Sequence, residues 1–238
     1  MDIHYFETLP STNTALLEMS KKGAKSWTAV WTKNQTQGRG YLSNRWETEK
    51  DKNIALSVLI TNDLSHQELI YFNQWVCNSI CSFLSKQHKE TYVKWPNDII
   101  IKNKKVGGIL IETHKFGNQL NIITGIGLNV NQTEFPGLSK AGSLATATNQ
   151  FYDVDVILSG MLTKLEDSYS QIQNKEWNSI LENYNSKLFL KDQPSLFKVE
   201  NQFFQGTIQQ VDEWGLLHVK VEDGIVKSFK NKEIEMIY

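Results

Sequence analysis

Lys94-Trp95-Pro96-Asn97-Asp98 and, a few residues on, Lys105-Val106-Gly107-Gly108-Ile109-Leu110 bring an ammonium, an amide and a carboxylate to the start of a β-hairpin. The return strand of that hairpin opens on paired glycines. A strand that only has to pack does not favour glycine; glycine is used where another group must come close to the backbone. The segment therefore reads as part of a ligand floor with a cation and an anion beside it. With Asn103-Lys104 as a two-residue turn, alternation puts Asp98, Ile100, Lys105 and Gly107 on one face. The run 119–130 repeats the device. Gly125, Gly127 and Asn129 fall on one side, and Leu120, Ile122, Ile126 and Leu128 on the other. Two glycine-smoothed strands suit a flat ligand lying on a sheet. The competing reading is relief of crowding beneath a helix.

The loop Gln35-Thr36-Gln37-Gly38-Arg39-Gly40 is a third candidate. It is neither a P-loop nor the dinucleotide fingerprint. Gly-Arg-Gly nevertheless sets adaptable backbone N–H groups beside a guanidinium, which suits phosphates or carboxylates. Arg45-Trp46 adds a cation and a stacking plane, a combination fitting a nucleotide better than a simple sugar.

Elements must position these groups. Residues 2–7 read as a strand. Ser11-Thr12-Asn13 offers an N-cap for a helix ending at Gly23, and 27–33 reads as a strand. Residues 34–52 lack periodicity and read as a long loop, which in a compact domain is usually functional or disordered. Ile54, Leu56, Val58 and Ile60 alternate with Ala55, Ser57 and Leu59 in a buried strand. Ser65-His66-Gln67-Glu68 is a capping box opening a helix to about residue 88. Consecutive strands are predicted over 91–95, 98–102, 105–113 and 119–130, then a loop over 131–142. Helices follow near 143–149, over 153–173 and around Trp177 to Tyr184. From about 189 the texture changes to short β-runs, at 195–199, 203–211, 216–221, 225–229 and 233–237. This is a small β-barrel or sandwich appended to the main domain.

The whole chain sets limits. With 238 residues, 40% hydrophobic and 21% charged, it can bury a sizeable core. A net charge of −1 argues against a general nucleic-acid binder. No apolar run is long enough to span a membrane, and the first residues do not read as a signal peptide, so a cytoplasmic location is expected. Cys77 and Cys81, one helical turn apart, read as reduced core thiols. The five histidines show no ligand spacing, so no metal site is assigned.

In order along the chain, Ser11-Thr12-Asn13, the Gly38-Arg39-Gly40 loop with Trp46, Lys94 to Asp98, Lys105 to Leu110, and Gly125-Ile126-Gly127-Leu128-Asn129-Val130-Asn131 resemble the biotin–protein ligases. The resemblance covers essentially the whole chain. It implies an α+β fold: a mixed sheet with flanking helices, like the class II aminoacyl-tRNA synthetase core, over 1–187, and an SH3-like C-terminal barrel over 188–238. It implies ATP-dependent conversion of biotin to biotinyl-5′-adenylate, then transfer of biotin to a lysine of a biotin carboxyl carrier protein, with Mg2+ accompanying ATP. Lys105 and Arg39 are then the catalytic cations. Ser11, Thr12, Asn13, Gln35, Gly38, Arg39, Lys105, Gly107 and Gly108 belong to the biotin side. Gly40, Arg45, Trp46, Asn97, Asp98, Lys105 and Asn129 belong to the nucleotide side. Asp98 is either a base for the acceptor lysine or an anchor for Lys105.

One departure stands out. The family loop is Gly-Arg-Gly-x-x-Gly followed by basic residues. Here Tyr41-Leu42-Ser43-Asn44 precedes Arg45, and Ser43 replaces a glycine. Normal activation with leakier retention of the adenylate is expected. Without net positive charge or a preceding helix-turn-helix, no operator binding is expected; the assembly is a monomer or homodimer. The alternatives are a lipoate or octanoate ligase or transferase of the same fold, or a non-catalytic binding module.

Overall fold

The period-two patterns become the centre of a seven-stranded sheet. The computed structural model describes residues 1–40, 45–116 and 119–238, so the Tyr41-Leu42-Ser43-Asn44 departure lies outside the described residues. The elements begin with β1 (Asp2–Phe6), α1 (Thr12–Lys21), β2 (Thr28–Thr32), β3 (Asn53–Thr61) and α2 (Glu68–Leu84). Then come β4 (Thr91–Lys94), β5 (Asp98–Ile101), β6 (Lys104–Phe116) and β7 (Gln119–Asn129). The helices α3 (Leu144–Thr148), α4 (Val154–Ser168), α5 (Ser170–Gln173) and α6 (Trp177–Ser186) complete this part. The strand order is β1-β2-β3-β7-β6-β5-β4. β1 runs parallel to β2, and the other neighbouring pairs are antiparallel.

The two faces of this sheet differ for a reason visible in the alternation. Ile54, Leu56, Val58 and Ile60 of β3, with Ile122, Ile126 and Leu128 of β7, enter the main core shared with α2 and α4. On the opposite face Leu59 and Ile123 join Val30 and Leu16 of α1 in a second cluster. Each such aliphatic side chain contributes about 1.5–3 kcal/mol when fully buried, which holds α1 over that half of the face. Further along the same face the positions are Ala55, Ser57, Gly125 and Gly127; the first turn of α1, through Thr12 and Asn13, closes over Ser57 and Gly125 and leaves Ala55 and Gly127 beyond it.

Local signals act as expected in most places. Ser11 caps α1, its hydroxyl accepting from Thr14 N at 3.4 Å. The Ser65–Glu68 box is formed: Ser65 N donates to Glu68 Oε2 at 2.8 Å and Glu68 N to Ser65 Oγ at 3.2 Å. The helix it opens ends at Leu84, short of residue 88. The helix expected over 153–173 is divided at Tyr169 into α4 and α5. Just before the break, Ser168 Oγ turns back to donate to Lys164 O at 2.8 Å and accepts from Trp75 Nε1 at 3.0 Å. Serine back-bonding of this kind bends helices.

The C-terminal part comprises β8 (Pro194–Val199), β9 (Gln202–Val211), β10 (Leu217–Val221), β11 (Val226–Phe229) and β12 (Glu235–Ile237). They form a five-stranded antiparallel sheet in the order β11-β10-β9-β8-β12. Phe197, Phe204 and Phe229 stack through it. The Trp95 indole N–H donates to Gly215 O at 3.1 Å, and the Asn185 amide pairs with both backbone groups of Val211. These bonds fasten the small sheet beside the Lys94–Asp98 segment.

Candidate active site

The bare half of the sheet floors a cavity of about 490 Å³. That lies within the roughly 300–1,000 Å³ usual for small-molecule sites. Register sets the floor: Ala55 lies opposite Gly127, Ser57 opposite Gly125, Gly127 opposite Gly108 and Gly125 opposite Leu110. As the alternation requires, Gly125 and Gly127 face the cavity. A Cβ on Gly125 would stand 2.5 Å from Asn13 Oδ1, and one on Gly127 would stand 2.4 Å from Trp46 Cε2. Close approach is therefore the reason for both glycines. Gly125 makes room for Asn13 of α1, as relief of crowding beneath a helix requires, and Gly127 makes room for the Trp46 plane.

The β5–β6 hairpin corrects two expectations. Its turn is Lys102-Asn103, both with positive φ, so Ile101 pairs with Lys104 rather than Lys102 with Lys105. A bulge then skips Val106, so that Ile100 pairs with Lys105 while Ile99 pairs with Gly107 and Asp98 with Gly108. An inserted residue reverses the facing of everything beyond it. Gly107 consequently turns to the core side, where its Cβ would meet Gly127 O at 3.0 Å and Ile99 Cβ at 3.5 Å. Gly108 is the glycine on the cavity floor, beside Lys105 and Trp46. Lys105 and Asp98 still share the cavity face.

Charge is concentrated at one end. Lys105 Nζ lies 2.6 Å from Asp98 Oδ1, and Lys94 Nζ lies 4.0 Å from Asp98 Oδ2. Burial pushes the Lys94 ammonium below the ordinary lysine value; Asp98 opposes this, and Lys105 and Lys140 add to it. Lys105 is also 5.7 Å from the Trp46 ring centroid. Tyr238 presents its ring to Lys140 at 4.5 Å and Lys94 at 5.9 Å. Its hydroxyl is pushed up to about 12 by burial and by Asp98.

At the other end a hydrogen-bond chain runs along α1. Gln35 Oε1 accepts from Thr12 N at 2.9 Å and lies 3.2 Å from Thr12 Oγ1. Ser57 Oγ stands 2.7 Å from Thr12 Oγ1 and 2.5 Å from Asn13 Oδ1. An amide oxygen can only accept, so the Ser57 proton points to Asn13; the single Thr12 hydroxyl proton then serves the shorter contact to Ser57 Oγ, and the Thr12 backbone N–H holds Gln35 Oε1. Asn13 Nδ2 donates to Glu112 Oε2 at 2.6 Å, and Arg39 Nη2 donates to the same oxygen at 3.1 Å.

Most of the expected residues converge here. Ser11, Thr12, Asn13, Gln35, Arg39, Gly40, Arg45, Trp46, Asn97, Asp98, Lys105 and Gly108 line the cavity. Gly38 lies behind the wall, where a Cβ would meet Trp46 O at 2.2 Å. Asn97 is occupied in bracing the hairpin, its amide donating to Ile109 O at 2.6 Å. Asn129 ties Gly142 O to the sheet at 2.9 Å, and among the described residues its buried Oδ1 has no partner. Sequence reasoning missed Ser57 and Glu112. Ser57 alternates with the core-facing residues of β3, which was the available signal; Glu112 joins the glycine face only because the bulge turns Gly108 to the cavity. It also missed Leu217, Asn231, Ile234 and Met236 of the C-terminal part, which wall one side of the cavity; nothing local marks them.

A mixed sheet whose bare face ends at a lysine–aspartate pair, edged by a glycine–arginine loop and walled by a second β unit, has the shape and charge to take a flat ligand bearing an acid group. The chain belongs to the biotin/lipoate A/B protein ligase family, whose model matches residues 5–129. It is similar to the bifunctional ligase/repressor BirA of Bacillus subtilis (strain 168), 27% identical over 98% of this chain and 73% of that protein. It is also similar to the biotin--[acetyl-CoA-carboxylase] ligase of Mycobacterium tuberculosis, 30% identical over 69% of this chain and 62% of that one. Among solved structures, the biotin protein ligase of Aquifex aeolicus in complex with biotin and ATP shares the fold, with a TM-score of 0.80. It covers 99% of this chain and 98% of its own, at 24% identity.

Proposed function

We propose that this chain is a biotin–protein ligase. It activates biotin with ATP to biotinyl-5′-adenylate and transfers biotin to a lysine of a biotin carboxyl carrier protein. The observation that carries the reading is the bare floor of Ala55, Gly108, Gly125 and Gly127 ending at the Lys105–Asp98 pair, in a chain of this family. In the first step a biotin carboxylate oxygen attacks the α-phosphorus, and the bond to pyrophosphate breaks. Two anions must meet, so a cation fixed in advance lowers the barrier. Asp98 holds Lys105 for this purpose, and Arg39 stands at the far end of the floor. In the second step the neutral amine of the carrier attacks the acyl carbon, AMP leaves with the bonding electrons, and the nitrogen sheds a proton. Asp98 faces two lysines, so in this reading it anchors Lys105 rather than taking that proton.

Ser11, Thr12, Asn13 and Gln35 serve the biotin head in this assignment, with Gly38 supporting the wall behind them. Gly40, Arg45, Trp46, Asn97 and Asn129 serve the nucleotide side. Magnesium accompanies ATP. It would be held mostly by phosphate oxygens and water, where it offsets phosphate charge. The catalytic part spans 1–187 with the class II synthetase-like arrangement, and 188–238 is an SH3-like barrel. No helix among the described residues is long and apolar enough to cross a membrane. The reading further takes the enzyme as cytoplasmic, a monomer or homodimer, and without a DNA-binding role, given a net charge of −1.

Exchange of labelled pyrophosphate into ATP by the purified chain tests this, with lipoate in parallel. Exchange that requires biotin is the expected result. Exchange with lipoate alone would move the chain to the lipoate branch, and exchange with neither would leave a binding module.

A further inference from the structure

We propose that Glu112 is a positioning residue that locks Arg39 to the biotin-side wall and so couples the two ends of the Gln35–Gly40 loop. The proposal rests on the ligase reading and names a residue that the motifs do not contain. Glu112 lies on β6 two positions beyond Leu110, on the same face as Gly108. Its Oε2 accepts from Asn13 Nδ2 at 2.6 Å and from Arg39 Nη2 at 3.1 Å. From Asn13 the contacts pass to Ser57, from Ser57 to Thr12, and from Thr12 to Gln35. Gln35 opens the loop that carries Arg39. The chain of contacts is therefore a closed ring, completed by five residues of backbone, and Glu112 is its one carboxylate.

Two consequences follow from the chemistry. A single oxygen taking both bonds holds the guanidinium and the Asn13 amide at fixed mutual positions, which a neutral acceptor does more weakly. The Asn13 amide orientation is also set from both sides, Ser57 donating to its oxygen and Glu112 accepting from its nitrogen. Arg39 is 49% exposed and Glu112 30%, so solvent screening leaves a modest effect. The effect falls on the biotin side. Lys105 and Asp98 are untouched, so use of ATP is not expected to change.

The test is steady-state pyrophosphate exchange by the full chain carrying Glu112→Gln, Glu112→Ala, Arg39→Ala or both Ala substitutions, with thermal melting in parallel. Glu112→Ala is expected to raise the biotin KM about five- to tenfold, and Glu112→Gln about two- to threefold, with the ATP KM unchanged. In the Arg39→Ala background, Glu112→Ala is expected to add less than about twofold, because the partner is already gone. An unchanged biotin KM in both single variants, or Arg39 and Glu112 effects that multiply independently, would overturn the proposal. A purely structural role for Glu112 would lower the melting temperature and move both KM values together. Should Glu112→Ala fold poorly, Glu112→Gln, of the same shape, carries the test. Loss of exchange in the unsubstituted chain would instead refute the ligase reading.

Discussion

Adding one methyl group at Gly125 and, separately, at Gly127 distinguishes a floor that makes room for α1 from a floor that makes room for a ligand. At Gly125 the new Cβ would stand 2.5 Å from Asn13 Oδ1 and 3.1 Å from its Cγ. Asn13 is buried and held between Ser57 and Glu112, so it cannot swing aside without breaking those bonds. Overpacking costs about 1–3 kcal/mol, and each neutral hydrogen bond lost adds about 1 kcal/mol. With both bonds lost, a total of about 3–5 kcal/mol corresponds to a melting temperature lower by roughly 6–20 °C for a domain of this size. At Gly127 the clash is with the Trp46 indole, at 2.4 Å from Cε2. That ring lies on the loop side and can lift away. Gly127→Ala is therefore expected to melt within about 2 °C of the parent, while raising the floor enough to cost on the order of tenfold to a hundredfold in activation. Melting followed by fluorescence and biotin-dependent pyrophosphate exchange measure the two quantities. Gly125→Ala as stable as the parent, or Gly127→Ala with normal exchange, would refute the reasoning about what each glycine makes room for.

Three further expectations follow from the same geometry. Lys105→Ala is expected to lower exchange by about 10²–10³-fold, as for loss of a preorganised transition-state donor, while Asp98→Asn, which frees Lys105 without removing it, should lose less; exchange rates compare them directly. Burial lowers the Lys94 pKa in the folded state, so between that value and 10.5 the unfolded chain binds more protons and stability rises with pH. Lys94→Met should melt higher than the parent at pH 7, with the difference shrinking as pH climbs toward 10.5; a difference that grows with pH would show the sign to be wrong. Trp95→Phe removes the bond to Gly215 O and should cost about 1 kcal/mol, visible in denaturant unfolding. It should also hasten amide exchange in the 212–216 turn, the outcome to look for by hydrogen exchange.

What the sequence by itself determined is whatever depends on near neighbours along the chain. Alternation placed Gly125 and Gly127 on one face of β7 and kept Ile122, Ile126 and Leu128 on the core side, because successive side chains of a strand point to opposite faces. The Ser65–Glu68 box and the Ser11 cap were legible for the same reason, since each closes within three residues. The Lys105–Asp98 pair was legible because a tight turn brings its members together. Tertiary structure alone decided the rest. Whether Gly107 or Gly108 meets the cavity depends on a bulge at Val106, a property of how β6 pairs with β5. Glu112 meets Arg39 across 73 residues and Asn13 across 99. The cavity wall supplied by Leu217 and Met236 exists because Trp95 and Asn185 fasten the second sheet where they do. Such pairings are selected by the packing of whole elements, whose free energy belongs to contacts between distant segments and leaves no period in either one.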